Sequence, residues 1–178
     1  MTLRLVISDI PLRGVLPENE DDQAFRYVDL SALSIANCTG CFGCWVKTPG
    51  KCVIRDDATK VYPLIAQSDR LIYVSRICYG SYDTVMKTML ERAIPIQQAF
   101  IRLYQGETHH EQRDVVEKDA VVIAYGADSE EEQEVFRRLV ERNARNMLWK
   151  NWAIRFVRRD QVEEQVMKEV QAWKNCSL

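Results

Sequence analysis

RLIYVSRICYGSYDTVMKTMLERAI, residues 70–94, reads as a strand, a turn and a helix in direct succession. RLIYVS (70–75) is largely apolar and rich in branched side chains, the composition of a strand covered on both faces. RICYGSY (76–82) is turn-like. Asp83 is placed to cap a helix in which Val85, Met86, Met89, Leu90, Ala93 and Ile94 recur at helical spacing, and Pro95 stops or bends it. A buried strand feeding an amphipathic helix is the repeating unit of a parallel α/β sheet.

The unit recurs on either side. LRLVIS (3–8) is a first strand, and the segment behind it (9–23), with two prolines, a glycine and five acidic residues, is a loop. FRYVDLS (25–31) is a second strand. Asp56 and Asp57 cap a helix over 58–67 that buries Val61, Leu64 and Ile65 around Pro63. The polar stretch 105–118 is expected to be an extended loop. AVVIAYG (120–126) is a fourth strand. Ser129 and Glu132 form a capping box for a long helix whose inner face carries Val135, Phe136, Leu139, Val140, Met147 and Leu148. WAIRFV (152–157) is a fifth strand, and Asp160 with Glu163 opens a last helix striped by Val162, Val166, Val170 and Trp173.

Right-handed crossovers between five buried strands predict a three-layer, doubly wound α/β domain spanning residues 1–178, with a five-stranded parallel sheet in the flavodoxin-like order 2-1-3-4-5. Its ligand crevice opens at the carboxyl ends of the first and third strands. The segments after Ser8, from 75 to 82 and from 125 to 129 would line it.

With 47% hydrophobic residues the chain can bury a core without staples, and its net charge of -2 carries no basic block. A nucleic-acid footprint is therefore not expected. Neither a signal peptide nor a run long enough to span a bilayer is read, which places the chain in the cytoplasm. There, six cysteines point to metal or redox chemistry more than to disulfides.

Four of those cysteines stand in CTGCFGCWVKTPGKCVIRDD (38–57). Cys38, Cys41, Cys44 and Cys52 are separated by two, two and seven residues, with Gly40, Gly43 and Gly50 allowing tight turns between thiols. Four converging thiolates suit zinc or an iron-sulfur cluster, and the two consecutive two-residue gaps are closer to the compact runs of four-iron clusters. Reactive thiols and inert turn cysteines are the other readings. Cys52, beyond the longest gap, is the weakest member of the set.

With these residues in view, the chain resembles the flavodoxin-like NAD(P)H-dependent FMN reductase family and, within it, the iron-sulfur flavoproteins. The resemblance runs from the first strand to Asn146 and is densest over 38–92. It is carried by the cysteine segment with its acidic pair and by SRICYGSY, where Arg76 replaces a common proline and Cys78 a common aromatic. VMKTMLER, with Glu91 for the usual aspartate before Arg92, and the GETHH and NARN stretches add to it. The resemblance implies an FMN-dependent oxidoreductase fed by NAD(P)H, with a four-iron four-sulfur cluster on Cys38, Cys41, Cys44 and Cys52. Ser75, Arg76, Tyr79, Gly80, Ser81 and Tyr82 would line one side of the flavin, and Tyr125, Gly126 and Ala127 the other. It also implies a homodimer or homotetramer serving a small-molecule or electron-carrier acceptor.

One feature departs from that pattern. The family holds the flavin phosphate on a Ser/Gly/Asn-rich loop and a helix after the first strand. Here DIPLRG leads into an acidic loop, with Arg13 as its one cation while Glu18, Glu20, Asp21 and Asp22 would repel a dianion. Either FMN binds by another arrangement, for instance across a subunit interface, or the chain is a non-catalytic binding or assembly protein that has lost the site. An iron-sulfur protein without flavin is the third reading. His109 and His110, adjacent in a polar stretch, read as surface or interface residues, Trp149 and Trp152 as packing or subunit contacts, and Cys176 as incidental.

Overall fold

The computed structural model describes residues 3–12, 14–16 and 24–175, the side chains of 174 and 175 excepted. Arg13, Glu18, Glu20, Asp21, Asp22 and Cys176 lie outside the described residues. In chain order the elements are β1 (Arg4–Ser8), β2 (Phe25–Asp29), the single turn α1 (Gly43–Val46), α2 (Ala58–Gln67), β3 (Arg70–Cys78), β4 (Ser81–Tyr82), α3 (Thr84–Glu91), β5 (Gln97–Tyr104), β6 (Glu107–Gln112), β7 (Lys118–Tyr125), α4 (Glu130–Asn146), β8 (Trp149–Val157) and α5 (Val162–Asn175). Five strands form the main sheet in the order β2-β1-β3-β7-β8, and every pair along that path is parallel. This is the expected 2-1-3-4-5 order, with β7 and β8 as the fourth and fifth strands.

The strand period of two divides the core. Leu5, Ile7, Leu71 and Tyr73 face α2, α3 and α4, packing with Val61, Ile65, Met86, Met89, Phe136 and Val140. Val6, Ile72, Val74 and Ile123 face the other way, onto Val162, Val166 and Val170 of α5. Both faces of the sheet are thus covered, as apolar strands without polar alternation require.

Several local expectations are corrected. Within the stretch 105–118, expected as a loop, residues 107–112 form β6, which pairs with β5 in a separate antiparallel hairpin turning through Gln105 and Gly106. Both turn residues have positive φ, 50° and 80°, the twist that matches a two-residue hairpin. α3 stops at Glu91, short of Ile94, and a 3-10 turn at Ile94–Ile96 follows. Val85 and Val135, expected inside, are 41% and 50% exposed. Asp160 does not cap the last helix: it pairs with Arg158, and Gln161 Oε1 accepts the Arg158 amide across a 3-10 turn before α5. Ser129 does cap α4, but Glu132 reaches outward to the Gly80 amide instead of closing the box.

Candidate functional site

Three strand ends meet at the carboxyl rim of the sheet. Beyond β1, Asp9 is 8% exposed; its carboxylate accepts the Arg76 amide at 2.6 Å and the Tyr125 hydroxyl at 3.0 Å, tying β1 to β3 and β7. Burial, only partly offset by these donors, pushes its pKa above the ordinary carboxylate value. The residues directly behind it, as far as Leu12, satisfy one another. Ser8 Oγ accepts the Ile10 amide, Tyr27 Oη accepts the Leu12 amide, and Leu12 is buried against α5. A phosphate beside residues 9–12 would meet a carboxylate and amides already engaged, so these residues do not fit the flavin phosphate.

The loop after β3 is a hairpin. Ile77 and Cys78 pair with Tyr82 and Ser81, and the turn between them places Tyr79 (φ 52°) and Gly80 (φ 69°) at the tip. Tyr79 is 95% exposed, offering a ring face to solvent. Gly80 is fixed against α4: a Cβ there would lie 2.6 Å from Val135 Cγ1. Ser75 is buried, with its hydroxyl donated to the Arg76 carbonyl. Tyr82 turns into the core, edge-on to Phe136 at 4.9 Å, so its ring is packing surface.

Across from this hairpin, β7 ends at Tyr125, paired in register with Arg76. Gly126 (φ 83°) follows, and a Cβ on it would press on Arg76 Cγ at 3.3 Å, so the arginine lies along the bare glycine backbone. Two open cavities share Arg76, Gly126 and Asp128. One, of about 440 Å³, is flanked by Tyr79, Gly80 and the start of α4. The other, of about 550 Å³, runs between the ends of β7 and β8 and contains Ala127, Arg158 and Arg159. Of the expected flavin residues, Arg76, Tyr79, Gly80, Tyr125, Gly126 and Ala127 therefore border adjoining space. Ser81 and Tyr82 border a third cavity of about 510 Å³ between Tyr79, α3 and Asn37.

Asn37 leads into the cysteine segment, which is held by a buried cation. Arg92, 1% exposed, donates both terminal nitrogens to Asp56 at 2.6 and 2.8 Å, one of them also to the Ala36 carbonyl and the other to Cys52 Sγ at 3.4 Å. The bidentate fork explains why arginine serves here. Asp56 also accepts the Ala58 amide at the head of α2. From the other side, Trp45 packs at a tilt against His110 of β6, ring centroids 4.7 Å apart, so the hairpin missed in the sequence buttresses the cysteine segment. His110 is thus a contact to the cysteine segment, and His109 pairs with Glu107.

The thiols are unequal. Cys41 is exposed, and the Gly43 amide, with the Thr39 hydroxyl second, holds its pKa below the ordinary thiol value. Burial, then Cys52, Cys38 and Cys41 nearby, push Cys44 up. The donor chemistry suits a soft metal or cluster. Among the described residues no three of His, Cys, Asp or Glu are grouped so as to hold a metal ion.

Sequence reading passed over Asp9, Arg158 and Arg159. The signal available was position: all three lie within two residues of the end of a main-sheet strand, where a parallel sheet concentrates its ligand contacts.

Strand order and crevice together define a flavodoxin-like α/β protein. The fold matches an FMN-dependent NADH-azoreductase from Bacillus anthracis, solved with FMN, with a TM-score of 0.60 at 12% identity over 100% of both chains. It also matches an NAD(P)H:quinone oxidoreductase from Methanothermobacter marburgensis, with a TM-score of 0.57 at 13% identity over 95% of each. In sequence the chain is similar to an iron-sulfur flavoprotein from Archaeoglobus fulgidus, 38% identical over 68 residues. Those residues are 38% of this chain and 30% of that relative, so the chain matches under a third of the relative's length. No family model matches. No helix among the described residues is long and apolar enough to cross a membrane.

Proposed function

We propose that the chain is an FMN-dependent oxidoreductase that takes electrons from NADH or NADPH and delivers them to a small-molecule or electron-carrier acceptor. The observation that carries this reading is the pair of adjoining cavities at the ends of β3 and β7, bordered by Tyr79, Gly80, Gly126 and Ala127. When bound, the flavin supplies hydride acceptance and stepwise electron release; the protein supplies position and electrostatics. Tyr79 offers an aromatic face, Gly126 admits close approach to backbone, and Arg76 provides positive charge beside the ring position. The FMN-dependent azoreductase and the quinone oxidoreductase that share the fold support the reading, as does similarity to an iron-sulfur flavoprotein.

The finer parts of the proposal concern the cysteines and the assembly. Cys38, Cys41, Cys44 and Cys52 are proposed to hold a four-iron four-sulfur cluster after the segment closes on it, with Arg92 supporting Cys52. The chain is proposed to act in the reducing cytoplasm as a homodimer or homotetramer. Phe100, Ile101 and Leu103, exposed together on β5, supply an apolar surface consistent with association.

Asp9 at the end of β1 favours a second reading, a non-catalytic protein with this fold. Anaerobic reconstitution with FMN, ferrous iron and sulfide separates the two. Flavin absorption bands together with nicotinamide oxidation by a dye acceptor are expected. Colourless protein with no turnover removes the enzyme reading, whereas iron and sulfide without flavin leaves a cluster protein.

A further inference from the structure

The cavity between β7 and β8 has a composition that its neighbour lacks. Three arginines line it, Arg76, Arg158 and Arg159, against one carboxylate, Asp128, over a floor that includes Ala124, Tyr125 and Phe156. Arg76 reaches Asp83 at 3.5 Å, and Arg158 is paired with Asp160 at 3.0 Å. Arg159 differs. It is exposed, its guanidinium stands over the Tyr125 ring at 5.6 Å, and among the described residues it has no carboxylate partner. Gln133 and Gln161 add side-chain amides at the margin. The result is a concave pocket, open to solvent, in which Arg159 is the guanidinium without a carboxylate partner among the described residues, while residues 9–12 after β1 offer a buried carboxylate and no free amide at Ile10 or Leu12.

The pocket also adjoins the cleft read as the ring position. Arg76, Gly126 and Asp128 belong to both, so a planar group beside Tyr79 could extend a charged tail toward Arg159 without crossing the sheet. From this juxtaposition we infer that the pocket formed by Arg76, Arg158 and Arg159 is the phosphate seat of a bound nucleotide cofactor, a role for which residues 9–12 after β1 offer no free donor. Guanidinium groups suit this task because they donate paired hydrogen bonds to phosphate oxygens and remain charged at all working pH values. FMN is the expected source of the dianion; the 2′-phosphate of NADPH carries the same chemistry. The inference rests on the proposed flavin chemistry for the first source and is independent of it for the second.

The test is binding, measured on the full chain without turnover. Flavin-fluorescence titration compares FMN with riboflavin, and calorimetry compares NADP+ with NAD+, for wild type, Arg159→Ala and Arg159→Lys. Arg159 is exposed, so the variants should fold; circular dichroism checks this. FMN should bind at least about tenfold tighter than riboflavin, as expected for charge-assisted phosphate contacts. Arg159→Ala should shrink that ratio severalfold with riboflavin affinity unchanged, and Arg159→Lys should restore part of it. Loss of an NADP+ preference, with the flavin ratio unchanged, assigns the seat to the nicotinamide donor. Ratios unmoved by Arg159→Ala in both arms overturn the inference while leaving flavin binding intact. Failure of both flavins to bind removes the flavin reading instead, and the nicotinamide arm then decides the pocket alone.

Discussion

Asp9 is costly where it stands, because a carboxylate with two donors is still short of the hydration it lost on burial. Its native pKa lies above the unfolded value near 3.8, so between these two values the native state holds more protons than the unfolded one. Stability from this site is greatest below that window and is lost as pH rises through the native pKa. Asp9→Asn keeps an acceptor for the Arg76 amide and removes the charge. It should stabilise the protein at neutral pH and flatten the pH dependence above 4, as read by urea denaturation from about pH 4 to 7. The thiols give a second residue-scale outcome. In metal-free protein Cys41, exposed and lowered, should be alkylated well before Cys44, raised and partly buried, with peptide mapping giving the order. The cysteine spacing was legible in the sequence, whereas the difference between these thiols was not. It depends on the Gly43 amide and on which sulfur is covered.

Elements that repeat a single period were readable, and those held by partners distant in sequence were not. β1, β3 and β7 announce themselves as apolar runs, and α4 as a stripe behind Ser129. β5 and β6 escape because THHEQ alternates nothing apolar and Gln105-Gly106 lacks the usual Asn-Gly or Asp-Gly turn signal. What makes the hairpin necessary is its contact with the cysteine segment through Trp45 and His110. The Arg92–Asp56 clasp is likewise invisible as a sequence pattern, since 36 residues separate its partners. Removing one member of a buried ion pair strands the other, which typically costs about 3–5 kcal/mol. Arg92→Met should therefore destabilise the chain on that scale and expose residues 38–55 to proteolysis. Asp56→Asn with Arg92→Met should cost less than the sum of the single changes, as a double-mutant cycle would report.

Across the whole molecule the two rims of the sheet carry different burdens. The carboxyl rim gathers Asp9, Arg76, Tyr125 and Arg159 around open space, whereas the opposite rim buries a cation. There Lys118, 1% exposed, begins β7 with its ammonium donating to the Val116 carbonyl, and burial lowers its pKa to about 8, with only Asp69 pulling it back. Lys118 lines none of the cavities described above, and the hydropathy pattern reads it as a strand edge. Its effect is global: from about pH 8 to the unfolded value of 10.5 the unfolded chain binds more protons than the native one, so stability rises with pH across that window. Below about pH 8 both states are protonated and the full penalty of a buried ammonium is felt. Tyr73 and Tyr82, whose buried hydroxyls titrate above their ordinary value, oppose this only above about pH 10. Urea denaturation should accordingly show the wild type gaining roughly 2 kcal/mol between pH 7 and 9.5 from this lysine. Lys118→Met, which fills the same space without charge, should be more stable than wild type at pH 7 and lose that advantage as pH rises. A wild-type curve that falls steadily over this range, with the variant parallel to it, would show that the ammonium is solvated.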